Sequence, residues 1–100
     1  MRKEVRVFAN EMERVLKLND YKEHWSSYSE EYLIGRLKKE VAELERALSD
    51  RCENKDCNGI VYINMRKVSG ECRYRVVQEA ADVASFAMMI ADLNIPKAKP

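Results

Sequence analysis

Both prolines of this chain, Pro96 and Pro100, sit in its last five residues. No earlier position carries the ring that fixes φ and removes a backbone donor, so long uninterrupted helices are open to everything upstream. One hundred residues make a single domain, read as 1–95 with a tail at 96–100. A domain this small buries only about two-thirds of the surface its unfolded chain exposes, so its core is thin. The apolar share of 46% and charged share of 35% suit a helical chain with solvated faces rather than a disordered one.

Eighteen Lys and Arg against seventeen Asp and Glu leave a net charge of +1. That balance argues against nucleic acid or a membrane surface as the partner. No apolar run follows the start Met1-Arg2-Lys3-Glu4-Val5, so no signal peptide is expected. The stretch from Ala80 to Ala91 is broken by Asp82 and Ser85 and is too short to span a bilayer. Three cysteines, an odd number, make no disulfide framework. The expected setting is cytoplasmic.

Val5, Phe8, Met12, Val15 and Leu16 recur at helical spacing, with Arg6, Glu11, Glu13, Arg14 and Lys17 mostly between them. This predicts an amphipathic helix from about Arg2 to Leu18. Tyr21 to Ser27 reads as a loop with one aromatic anchor, Trp25. Ser29 before Glu30 and Glu31 is a helix start, with Ser27 and Glu30 as a capping box in an alternative register. The second helix runs to about Leu48 on a stripe of Leu33, Leu37, Val41, Leu44 and Leu48. Gly35 inside it costs about 1 kcal/mol relative to Ala.

Residues 49–75 read as an insert, polar and turn-rich as far as Gly59. Ile60-Val61-Tyr62-Ile63 and the alternating Cys72-Arg73-Tyr74-Arg75-Val76 predict a short hairpin around 60–76, turning at Val68 to Glu71. The last helix, about Val76 to Leu93, keeps Gln78, Glu79, Asp82, Ser85 and Asp92 to one side and is apolar over the rest. A helix of that kind is central. Three helices of this length supply little core, so a second subunit is expected to complete the bundle. The expected class is all-α, a helical bundle completed by oligomerisation.

Glu40 and Glu43 stand three apart on the second helix, and Glu79 and Asp82 repeat that spacing on the last. Each pair projects from one helix face. Two such helices facing each other bring four carboxylates to one point, and four acids that repel need cations. Oxygen ligands suit Mg²⁺ or Mn²⁺ rather than zinc. The alternative for Glu40 and Glu43 is a solvated helix face. The alternative for the set is pairing with Arg36 or Lys39. Val76 to Leu93 holds no Lys or Arg, so Glu79 and Asp82 find no cation on their own helix.

Leu37-Lys38-Lys39-Glu40-Val41-Ala42-Glu43-Leu44 and Glu79-Ala80-Ala81-Asp82-Val83 resemble the signature helices of the MazG-like all-α nucleoside triphosphate pyrophosphohydrolases. Lys22 to Trp25, a Lys-x-x-Trp loop, and the run from Ala81 to Asp92 resemble a small archaeal and phage-type subgroup. The resemblance covers residues 4 to 48 and 76 to 93. It implies a dimer or tetramer of this chain, with Glu40, Glu43, Glu79 and Asp82 as catalytic residues holding Mg²⁺. It also implies cleavage of a ribo- or deoxyribonucleoside triphosphate to monophosphate and pyrophosphate. Two departures are visible. Thirty-five residues, 44 to 78, separate the two acid pairs, more than is usual in the family. Ser85 stands where relatives often carry an Asn long enough to reach a phosphate, and Glu23-His24 where they often carry Gly-Gly.

Lys22, Arg36 and Lys39 are candidate phosphate contacts, and Trp25 either stacks on a base or seals the corner between the first two helices. Cys52, Cys57 and Cys72 admit reduced thiols, a Cys52–Cys57 disulfide, or a zinc site completed by His24 or a second chain. The competing reading of the whole is a catalytically inactive, oligomeric interaction or regulatory module of the same fold.

Overall fold

The structure, a computed structural model, describes residues 1–20, 22–49, 60–63, 66–69 and 71–96. Three helices dominate: α1 (Lys3–Lys17), α2 (Glu30–Ser49) and α3 (Glu71–Asn94). The class is all-α. The expected alternation of apolar residues at three and four positions therefore becomes helix where it was read.

Ser29 starts α2 in the first of the two registers. Its Oγ accepts from Tyr32 N at 3.1 Å, and its carbonyl accepts from Leu33 N at 3.1 Å. Glu30 and Glu31 occupy the first turn, where the helix dipole favours acids. Ser27 is not a cap for α2; its Oγ donates to the His24 carbonyl at 2.8 Å inside a single 3₁₀ turn, Trp25–Ser27.

Strands β1 (Ile60–Ile63) and β2 (Arg66–Ser69) pair antiparallel, with Ile60 opposite Ser69 and Ile63 opposite Arg66. This corrects the hairpin expected around 60–76. The second strand lies at Arg66–Ser69, where a turn was expected, and residues 72–76 belong to α3. The alternation that suggested a strand there is real: Tyr74 and Val76 are half-buried while Arg73 and Arg75 are exposed. A helical start at the bundle's end satisfies the same alternation. A tertiary contact favours the helix, because Arg14 Nη2 of α1 donates to Tyr74 Oη at 2.9 Å. Residues 50–59, with Cys52 and Cys57, lie outside the described residues, as does the Cys72 side chain, so the three cysteine readings stay where the sequence left them.

The last helix is the hub, with α1, α2 and the 3₁₀ turn all packing on it. Its far end is tied back by Asn94 Nδ2, which donates to Glu30 Oε1 and to the Ile90 carbonyl, each at 2.9 Å. The core is thin, as the length implies. Among the described residues only Val15, Leu33, Ala47 and Ala81 are buried apolar side chains. Val5, Ile34, Val41 and Leu48, two of them on the expected stripe of α2, remain exposed in the single chain. Among the described residues no helix is long and apolar enough to cross a membrane.

Candidate functional site

Glu40 and Glu43 lie one turn apart on α2, Glu79 and Asp82 one turn apart on α3, and these two helices pack together. Glu40, Glu79 and Asp82 each bring one carboxylate oxygen to within 4.8 Å of the others. Glu43 is exposed but hydrogen-bonds toward both Glu40 and Glu79, so all four acids of the sequence reading converge. Glu40 is not on a solvated face: it is 6% exposed.

This crowding raises the proton affinity of three of the acids. Burial pushes the Glu40 carboxyl up to about 7, with Glu43 and Asp82 adding to the shift and Arg36 opposing it. Burial likewise raises Glu79, reinforced by Glu43 and Asp82 and opposed by Arg75. The early start of α3 puts Arg75 one turn before Glu79, correcting the expectation that Glu79 finds no cation on its own helix. Asp82 is raised by burial and by Glu43, against the pull of Arg36 and Arg14. The protein's own cations therefore undercompensate the cluster. Glu79 Oε2 is buried with no hydrogen-bond partner. An oxygen-only donor set with an orphaned buried oxygen fits a hard divalent cation such as Mg²⁺ or Mn²⁺.

The cluster opens on a cavity of about 550 Å³, within the range of small-molecule sites. Arg36 and Glu40 line it from α2, Asp82 and Ser85 from α3, and Lys22 and Trp25 from the segment between α1 and α2. His24, Tyr28 and Tyr32 add aromatic surface. Arg36 Nη2 donates to Glu40 Oε1 at 3.0 Å, and its guanidinium lies 5.4 Å from the Phe86 ring centroid. Ser85 is 3% exposed, and its Oγ is buried without a partner. Lys39 is exposed and is not among the residues that line the cavity. The structure thus gathers every expected site residue except that one.

Two features escaped the sequence reading. Glu11 was placed between the apolar positions of the first helix, yet it is 1% exposed. Phe8, Glu11 and Val15 follow one another at helical spacing, and that pattern is the signal that marks Glu11 as inward-facing. Arg14 holds it through Nε at 3.0 Å and Nη2 at 2.6 Å, both to Oε1. The second feature is Asp92, whose Oδ2 accepts from Trp25 Nε1 at 2.9 Å.

Compared with models of known families, with curated proteins and with solved structures, the chain finds no match in any of the three.

Proposed function

We propose that this chain is a Mg²⁺-dependent nucleotide pyrophosphohydrolase, cleaving a nucleoside triphosphate to monophosphate and pyrophosphate. One observation carries the reading: an undercompensated cluster of Glu40, Glu79 and Asp82 opens on a nucleotide-sized cavity whose loop side is aromatic. The resemblance of both helices to the MazG-like family supports the same reaction class.

A divalent cation in the cluster would neutralise phosphate charge and make water a better nucleophile. The chain's own groups supply the rest. Glu40, Glu43, Glu79 and Asp82 would hold the cation, and a carboxylate among them would take the proton of the attacking water. Arg36 and Lys22, both on the cavity wall, meet phosphate oxygens. Trp25, with Tyr28 and Tyr32, faces the base. Water attacks the α-phosphorus, the bridging α–β bond breaks, and pyrophosphate leaves with the electron pair.

The active form is an oligomer of this chain. Val5, Ile34, Val41 and Leu48, exposed on α1 and α2 of the single chain, are the surface a second copy would cover. Incubation with a panel of ribo- and deoxyribonucleoside triphosphates, with Mg²⁺ or with EDTA, tests the reading. Monophosphate and pyrophosphate in equal amounts, formed only with Mg²⁺, are expected. Nucleoside diphosphate with inorganic phosphate would mean a different reaction, and no product across the panel would favour the inactive module.

A further inference from the structure

Asp82, Ser85 and Met89 line the cavity from α3, and Asp92 continues their row at the same three- and four-residue spacing. Asp92 stands ten positions after Asp82, about 15 Å along the helix axis at 1.5 Å per residue. At that distance from the acid cluster, Asp92 Oδ2 accepts the indole N–H of Trp25 at 2.9 Å. An indole has a single N–H to give, so this bond fixes how the ring is turned about its plane. The His24 ring packs against the indole with centroids 4.0 Å apart and planes inclined by 31°.

The 3₁₀ turn is held internally by short-range bonds. Ser26 N donates to His24 Nδ1 at 3.1 Å, and Tyr28 N donates to the Trp25 carbonyl at 3.0 Å. None of these bonds connects the turn to the bundle, whereas Trp25–Asp92 spans 67 positions. A hydrogen bond to a carboxylate is also of the stronger kind.

The geometry points to Asp92 as a positioning residue: it holds the Trp25 indole as the stacking wall for a nucleobase, about 15 Å along α3 from Asp82, and takes no part in the phosphate chemistry. This rests on the nucleotide reading above. Stacking on an aromatic side chain is worth about ten- to a hundredfold in affinity, and an unpinned ring forfeits part of it. The ring that Asp92 releases therefore weakens the base end of the ligand and leaves the phosphate end alone.

Trp25 is the chain's one tryptophan, so its emission reports on this contact. Acrylamide quenching of Trp25 and the affinities for a nucleoside monophosphate and for inorganic pyrophosphate, both with Mg²⁺, are measured in wild type, Asp92→Ala and Asp92→Asn. Asp92→Ala is expected to raise quenching and to weaken the monophosphate about tenfold, with pyrophosphate affinity unchanged. Asp92→Asn, whose amide oxygen still accepts, is expected to restore both. Trp25→Phe keeps a ring and drops the N–H, and combining it with Asp92→Ala is expected to weaken the monophosphate no further than either change alone. Unaltered quenching in Asp92→Ala overturns the proposal, as does an equal loss of both ligands, which would make Asp92 merely structural. A wild type that binds pyrophosphate but no nucleoside monophosphate overturns the nucleotide reading itself. A wild type that binds both equally to Asp92→Ala overturns only the role of Asp92.

Discussion

Arg36 Nη2 lies 3.0 Å from Glu40 Oε1, one turn earlier on α2, yet the Glu40 carboxyl still holds its proton up to about 7. Burial and the neighbouring acids outweigh a direct ion pair. Arg36, with 38% of its side chain exposed, does not offset the four converging carboxylates even with Arg14 acting on Asp82 and Arg75 on Glu79.

That imbalance makes stability depend on pH with a defined sign. Glu40 is raised in the fold, so between its ordinary carboxylate range and about 7 the unfolded chain releases a proton that the folded chain keeps. Stability is therefore lost as pH rises through this window, and Glu79 and Asp82 act in the same direction. In EDTA the melting temperature of wild type is expected to fall from pH 5 to pH 8 relative to Glu40→Gln. Mg²⁺ should recover part of that loss, since it binds the ionised, folded form. A melting-temperature difference between the two proteins that does not change with pH would contradict this.

Arg14 and Glu11 make an asymmetric pair. Glu11 is 1% exposed while 38% of the Arg14 side chain reaches solvent. Arg14→Ala leaves a buried carboxylate without its cation and is expected to cost about 3 kcal/mol or more. Glu11→Ala leaves a guanidinium that water can reach, and about 2 kcal/mol is expected. Urea denaturation of both variants checks the order, which reverses if Arg14 only packs on Tyr74.

Gly35 lies within the continuous helix α2, and a Cβ built on it meets nothing within 4 Å. Gly35→Ala is therefore expected to stabilise the isolated chain by about 0.5–1 kcal/mol. Denaturation at low and high protein concentration checks this. Destabilisation confined to high concentration would place a second copy against this turn of α2.

How much of this was legible follows from how local each signal is. Ser29 announced the start of α2 because an N-cap is a contact within four residues. Glu40, Glu43, Glu79 and Asp82 were visible because one-turn spacing fixes a helix face, and the apolar character of α3 indicated that the faces meet. Arg66–Ser69 and the early start of α3 were misread because alternation over five residues suits a strand and a helix end equally, and the deciding Arg14–Tyr74 bond spans 60 positions. Trp25 and Asp92, 67 positions apart, carry no periodic signal that pairs them. Lys39 was named for its nearness to Glu40 in sequence, and adjacent helix positions point in different directions.

Pyrophosphate release from the nucleoside triphosphate panel, compared between wild type and Asp82→Asn in Mg²⁺, is the most direct measurement. Asp82 is a raised, half-buried acid on the cavity wall, so removing its charge should leave the melting temperature in EDTA equal or higher. Turnover should fall at least a hundredfold, on the order of 3 kcal/mol of lost transition-state stabilisation. Unchanged turnover in Asp82→Asn, or turnover by wild type that EDTA does not suppress, would contradict a metal-dependent reaction at this cluster.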